Sequence, residues 1–276
     1  MSDVKWAIAT QAFEKPGYPK IVNALVRAGI EFHNSSYDFN TRQYDPIPDH
    51  FTEQDTVVLY GPIQFVRSNL QRKFQPGAFG FKTRETLTSV YMTSAPLNMF
   101  FNQKCIYLPW GMIPSSHEMI ADLVGDDVFI RPDSGFKSFT GFNSKLTTLQ
   151  FEMNSLRQTN NPDPSEMCLI SPAKQITGEY RFVICQNKVV SGSQYRWDDK
   201  FDVRLDVPQH CWDFAEKVAE LDWQLDTCYV VDIFMDEHGV PYIGEYNSFS
   251  SAGLYHCNMD KIVDAVTKAA IDEKPQ

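Results

Sequence analysis

The run Tyr229-Val230-Val231-Asp232-Ile233-Phe234 places an aspartate in the middle of what otherwise reads as a buried strand. Ionisable groups are seldom buried without a partner, so this one residue restricts what the surrounding fold can be. The run Thr227 to Met235 is followed by Asp236-Glu237-His238-Gly239 and then by Val240 to Tyr246, the pattern of a hairpin, in which His238 reads as a turn residue. Alternate residues of a strand share a face, so Glu245 and Asn247 point the same way. Asp232 joins that face only if facing residue numbers sum to an odd value, for example Asp232 opposite Glu245 through a four-residue loop at Glu237 to Val240. Two carboxylates and an amide oxygen then meet. Like charges placed so closely repel, and a hard divalent cation that keeps several waters, such as magnesium, relieves them. Acidic residues in hairpins are often merely solvated, but the apolar neighbours of Asp232 argue against that here.

At about 150 residues per domain, a chain of 276 residues is roughly two domains' worth. Its 43% hydrophobic content is enough to offset chain entropy, which rules out wholesale disorder. The net charge of −10 disfavours a long nucleic acid bound across the surface. No apolar run approaches the ~18 residues that span a bilayer, and the first residues lack the pattern of a secretory signal, so a cytoplasmic protein is expected. The six cysteines are widely spaced and form no C-x-x-C pair, so neither a zinc site nor a redox motif is indicated. Cys168, Cys185 and Cys228 lie in apolar strand-like runs and read as small buried hydrophobes.

Strand and helix signals alternate along the first third: an apolar run at Trp6 to Ala9, a helix from about Tyr18 to Ala28, a strand at Ile30 to His33, a strand at Thr56 to Tyr60 and a helix from Ile63 that Gln75-Pro76-Gly77 closes. Such alternation implies an α/β sheet with crossover helices. Residues 77 to 112 show no clean periodicity beyond a strand at Cys105 to Pro109. Ser115-x-x-Glu118 reads as a capping box before a helix, and a second region begins at about residue 113. From Val128 the pattern is α+β: a strand to Arg131, a helix over Leu146 to Arg157, a strand at Met167 to Ser171 and a hairpin around Gln186-Asn187. A helix over Pro208 to Leu221, the Asp232 hairpin and a closing helix over Lys261 to Ile271 complete it.

A second cluster is positive. Arg131 ends an apolar strand and is followed by a loop of small and hydroxyl residues, Asp133 to Gly141, that carries Lys137. Such a loop can cover a polyphosphate with backbone N–H groups and one cation, or can be only a flexible connection. There is no G-x-x-x-x-G-K-[ST] and no G-x-G-x-x-G. Glu179 and Arg181 share a face of the next hairpin, either as a surface ion pair or as part of a cleft. Lys174 follows Ile170-Ser171-Pro172, a connection from which a lysine could reach a nucleotide; neither this nor the Glu179–Arg181 pair is decisive alone. Phe136, Tyr195 and Trp197 suit either a second pocket or ordinary core packing.

In order, these parts resemble the ATP-grasp superfamily: an R-P strand end, a Gly/Ser/Lys loop, a Gly-Glu-x-Arg hairpin and finally Asp232 with Glu245-x-Asn247. The Arg131, Lys137 and Lys174 pattern is most similar to the branch named for an arginine and two lysines, often encoded by bacteriophages. The resemblance covers about residues 113 to 270 and implies an ATP-grasp domain over 113–276, two α+β subdomains clasping ATP, preceded by a pre-ATP-grasp-like α/β domain over 1–112. It further implies that Asp232, Glu245 and Asn247 hold magnesium against the phosphates of ATP. Arg131 and Lys137 would contact those phosphates, Ser171, Lys174 and Glu179 would lie by the nucleotide, and Arg181 would meet the acceptor carboxylate or the acyl phosphate. The hinge lacks the acidic residue such enzymes commonly place on ribose. The implied reaction is carboxylate–amine ligation through an acyl phosphate, with small molecules or peptide and protein tails as substrates. A phosphotransferase, a nucleotide-binding module without turnover and a metal-dependent phosphate-ester hydrolase are the rival readings, and a homodimer is left open. If the protein is phage-encoded, the expected setting is the host cytoplasm.

Overall fold

The computed structural model describes residues 4–13 and 15–273. The first third contains β1 (Val4–Ile8), α1 (Ile21–Ala28), β2 (Glu31–Asn34), the short pair β3 (Tyr37–Asp38) and β4 (Gln43–Tyr44), β5 (Thr56–Tyr60), α2 (Ile63–Asn69) and β6 (Gln75–Gly77). Four of these strands form a parallel sheet in the order β2-β1-β5-β6. Helix α1 starts at Ile21, the first of its apolar positions and three residues after Tyr18, with Lys20 as an extended N-cap, φ −103° and ψ 127°; Pro19 disfavours a helical Tyr18. It ends at Gly29, which is left-handed with φ 65°. Gln75-Pro76-Gly77 is not merely a stop signal, since it supplies the edge strand of the sheet.

The middle of the chain contributes α3 (Thr88–Tyr91), β7 (Ile106–Pro109), α4 (His117–Val124), β8 (Asp127–Pro132), β9 (Phe142–Lys145), α5 (Leu146–Thr159) and β10 (Met167–Pro172). An antiparallel sheet, β7-β10-β8-β9, takes its edge strand from before residue 113. Val128 and Ile130 of β8 turn toward a core shared with Ile120 and Val124 of α4 and Leu149 and Met153 of α5. Alternation therefore sends Phe129 and Arg131 to the opposite face. The Ser115-x-x-Glu118 capping box does not form. Residues 110–115 make a tight helical turn, and both Ser115 and Ser116 donate to the Met112 carbonyl, at 3.0 and 2.9 Å. Helix α4 begins with no side-chain cap.

A third sheet is built from β11 (Gly178–Cys185), β12 (Lys188–Trp197), β13 (Lys200–Arg204), β14 (Cys228–Met235) and β15 (Pro241–Ser248), with α6 (Gln209–Ala219) and α7 (Met259–Asp272) packed on it. Its order is β13-β12-β11-β14-β15, antiparallel throughout. Gln186 and Asn187 both take positive φ, 50° and 59°, the primed turn that a two-residue hairpin favours. Tyr180, Phe182, Val231, Ile233, Ile243 and Tyr246 face α6. The other face changes character along its length. Val183 and Val230 join α7 and the first sheet in one core, where Trp6 Nε1 donates to Thr267 Oγ1 at 3.1 Å. Beyond them on the same face lie Arg181, Asp232, Glu245 and Asn247.

Asp232 does stand opposite Glu245, but by a different route from the four-residue loop. Near the turn the pairs are Met235–Pro241, Phe234–Tyr242 and Ile233–Ile243, the wrong parity, around a loop of Asp236 to Val240. Asp236 Oδ1 accepts from the backbone N–H groups of His238 and Val240, at 2.9 and 2.8 Å, which closes that longer loop. A bulge between Ile233 and Asp232 then restores the parity. Gly244 is the extra residue, lying against the Phe234 ring so tightly that a Cβ would come within 2.5 Å of it. Cys185 and Cys228 also differ from expectation. They face each other across β11 and β14 as a disulfide rather than as two separate buried thiols, while Cys168 is free and buried.

Gly244→Ala is expected to lower the unfolding free energy by about 1–3 kcal/mol through overpacking against Phe234. A urea midpoint equal to that of the unaltered protein would show that the bulge has room for a side chain.

Candidate active site

The charged half of the third sheet faces the second sheet across a cleft of about 290 Å3. Phe129, Arg131 and Pro132 of β8, Phe142 of β9 and Pro172 of β10 form one wall. Glu179, Tyr195, Phe234 and Glu245 form the other, and Phe101, Asn102, Lys174 and Ile176 close one end. The loop after β8 reaches over the cleft. Its Lys137 has a left-handed backbone, φ 48°, a conformation uncommon for a residue with a side chain.

An ionic cluster occupies the inner end. Arg131 Nη2 lies 2.9 Å from Glu245 Oε2, and Lys137 Nζ donates to Glu245 Oε1 at 2.9 Å. Asn247 Nδ2 donates to Glu245 Oε1 at 2.9 Å and to Asp232 Oδ2 at 3.1 Å. Arg181 grips Asp232 with both ends of its fork, Nε to Oδ1 and Nη2 to Oδ2, each at 2.7 Å. Burial opposes the charge on Glu245, but the Lys137 ammonium and the Arg131 guanidinium outweigh it and hold the carboxyl well below the usual range. Burial pushes the Asp232 carboxyl up, and the Arg181 pair opposes that.

Arg181 is fastened from several sides. Its Nη1 donates to the Gly253 carbonyl at 2.9 Å, and its guanidinium lies 5.3 and 5.1 Å from the centres of the Tyr195 and Tyr255 rings. Those rings stack on each other at 4.9 Å. The contacts use three of the five N–H groups of the guanidinium. Tyr195, one of the aromatics read from the sequence as suiting a pocket, lines the cleft, whereas Tyr255 is not visible in the sequence because it reaches the site only through the turn after β15.

The remaining candidates spread outward. Glu179 lies in the cleft wall 3.4 Å from Arg196, and burial raises its carboxyl. Lys174 donates to the Phe101 carbonyl and lies 5.0 Å from the centre of the Phe101 ring, with burial lowering its ammonium. Ser171 is fully buried, its hydroxyl donating to Asn102 Oδ1 at 3.1 Å. Asp133 is a residue that spacing alone does not single out. Thr88 Oγ1, Ser89 N and Ser89 Oγ donate to its two oxygens, at 2.7, 3.0 and 2.5 Å, which ties the base of the Lys137 loop to the start of α3. Gly135 at the loop tip passes so close to Thr86 that a Cβ would meet its hydroxyl at 2.6 Å.

Two carboxylates and an amide on one face, joined by hydrogen bonds, are a donor set suited to a hard oxygen-seeking cation such as Mg2+. The cations on Glu245 are side chains long enough to turn instead to a bound polyphosphate.

The chain belongs to the ATP-grasp superfamily: a family model described as an ATP-grasp domain, of family 2 in the clade named for an arginine and two lysines, matches residues 116–265, more than half of it. No curated protein sequence matches it. Among solved structures it is similar to D-cycloserine synthetase DcsG, with a TM-score of 0.65 and 11% identity over 97% of this chain and 99% of that one. The ATP-grasp ligase PsnB, complexed with a minimal precursor, has a TM-score of 0.55 and 12% identity over 99% and 100% of the two chains. D-alanine–D-alanine ligase from Bacillus anthracis has a TM-score of 0.56 and 11% identity over 99% and 98%. At such identities the likeness establishes the fold alone, an ATP-grasp fold with mixed α+β content.

Arg181→Met is expected to destabilise the protein by about 3–5 kcal/mol, because it strands a buried carboxylate. The double variant Arg181→Met, Asp232→Leu should recover most of that loss. Urea denaturation reads both, and a double variant no more stable than the single would contradict the pairing.

Proposed function

We propose that the protein is an ATP-dependent carboxylate–amine ligase of the ATP-grasp type, with Mg2+ as its metal. The observation that carries the reading is the Glu245 carboxylate held between Arg131 and Lys137, with Asn247 and Asp232 beside it, at the inner end of a two-walled cleft. Asp232, Glu245 and Asn247 would hold the metal, which when bound supplies charge neutralisation at the β- and γ-phosphates. The ligase names of its structural neighbours support the same reaction class. A neighbouring PsnB complex contains Mg and ADP, which supports the choice of metal.

In this reading Phe101, Phe129, Phe234 and Ile176 give the nucleotide base an apolar seat, with Lys174 and Glu179 at its border and Ser171 behind the wall. Arg131 and Lys137 release Glu245 and orient the phosphates. The substrate carboxylate attacks the γ-phosphorus, the bond to the ADP oxygen breaks, and an acyl phosphate forms. The amine then attacks the acyl carbon, inorganic phosphate leaves, and the nitrogen gives up a proton. Nothing in this sequence requires a covalent protein nucleophile; it requires positioning and preorganised positive charge. Arg181 keeps Asp232 in register and retains two N–H groups for the acyl phosphate. Among the described residues no helix is long and apolar enough to cross a membrane. A cytoplasmic setting, a phage-encoded origin and the division near residue 112 belong to this reading.

With Mg-ATP, a suitable carboxylic acid and hydroxylamine as a general nucleophile, the protein should release ADP and accumulate a hydroxamate. Glu245→Gln should cut that rate by roughly 10²-fold or more, a loss like that of other preorganised charge contacts. ADP release that yields a phosphorylated product and no hydroxamate would favour a phosphotransferase instead.

A further inference from the structure

On the far side of Lys137 from the nucleotide cleft is a second chamber, of about 160 Å3. Ile63, Phe81 and Phe136 give it apolar walls, and Lys137 and Asn247 line its inner end. Lys137 is common to both chambers. The walls are held in place. Arg67 lies 4.8 Å over the Phe136 ring, which meets Phe81 edge-on at 5.8 Å. Ser248 Oγ donates to the Phe79 carbonyl at 2.7 Å, the Phe79 N–H donates to Ser250 Oγ at 2.9 Å, and the Gly80 N–H donates to Asp226 at 2.5 Å.

Two features of the lining select a ligand. No acidic side chain lines the chamber among the described residues, whereas two lysines do, Lys82 paired with Asp226 at 3.3 Å and Lys137 with Glu245 at 2.9 Å from outside the lining. An ammonium group would therefore meet no counter-charge in the lining, whereas a carboxylate would meet the Lys137 ammonium, shared with Glu245 on the cleft side. Ser251, also in the lining, has a buried hydroxyl oxygen with no hydrogen-bond partner. A buried polar atom left in that state marks a place for something else to bond.

We propose that this chamber binds the carboxylate substrate: a small monocarboxylic acid with an apolar, uncharged body, its carboxylate toward Lys137 and Asn247 and its body against Phe81 and Phe136. The assignment of the ligand as a substrate rests on the ligase reading; the preference for a carboxylate over an amine rests on the lining. The chamber has little more than half the volume of the nucleotide cleft, which favours a small acid over a peptide.

Saturation-transfer NMR on the full chain tests this with phenylacetate and phenethylamine, which share a ring and differ in charge. Phenylacetate should bind and phenethylamine should not at the same concentration. Phe81→Ala should weaken phenylacetate about tenfold, in line with the loss of an aromatic wall, and Ser251→Ala should weaken it measurably. The affinity for Mg-ADP should stay unchanged in both, since neither residue lines the nucleotide cleft. If Phe81→Ala does not fold, Ser251→Leu serves in its place by filling the chamber. Phenethylamine binding as well as phenylacetate, or phenylacetate affinity unaltered in the Phe81 and Ser251 variants, would overturn the proposal. The readout is direct binding, so an absence of Mg-ATP turnover would count against the ligase reading and leave this test intact.

Discussion

The bidentate contact between Arg181 and Asp232 governs the geometry of the site. Both side chains sit on a sheet face that is apolar core at one end and open cleft at the other, and Asp232 is fully buried. An ion pair in that position gives little net stability relative to well-packed apolar residues, since desolvation offsets most of the attraction. What it does provide is register. With Asp232 fixed by Arg181 on β11, the bulge at Gly244 brings Glu245 to the level of Asp232 on β15, and Asn247 bridges the two carboxylates. Three adjacent strands thus contribute to one polar cluster whose parts cannot slide independently.

That cluster is close to charge-balanced internally, which explains how an acidic protein presents a phosphate-competent cleft. Three cations, Arg131, Lys137 and Arg181, meet two carboxylates within it. The cluster carries one positive charge in excess, so the rest of the chain carries −11 against a total of −10. Glu245 is the pivot, because the same two cations that keep it ionised are those a polyphosphate would recruit. Asp133 has a complementary part: by binding Thr88 and Ser89 it anchors the Lys137 loop to the segment that walls the second chamber. The position of Lys137 between the two chambers depends on that anchor.

Much of this was legible in the chain itself. The strand around Asp232 announces a carboxylate that packing cannot explain, and alternation places Glu245 and Asn247 together. Strand and helix positions in the first third and after Val128 follow from apolar periodicity. What periodicity cannot supply is contact between distant segments. The parity of the Asp232 hairpin depends on a bulge that only the Phe234 ring at Gly244 explains. The Ser115 capping box is lost to a carbonyl three residues back that the pattern does not register. The partners of Asp133 lie in the stretch with no clean periodicity, and Tyr195 and Tyr255 come to Arg181 from separate elements. The cysteine pair at Cys185 and Cys228 likewise becomes visible only when β11 and β14 are adjacent.

Helix α7 carries a consequence for how the molecule is made. Trp6 in the first strand completes its hydrogen bonding with Thr267, and the same helix supplies Ile262, Val263, Val266 and Ala270 to the core beneath β1 and β5. During synthesis the first sheet emerges early but lacks that cover until translation has passed Ala270. Contacts of such long sequence separation form slowly and leave apolar surface open in the meantime. Until then that face of the parallel sheet is covered only in part, by Ile21, Ala24 and Leu25 of α1, and α7 acts as the latch that completes the cover.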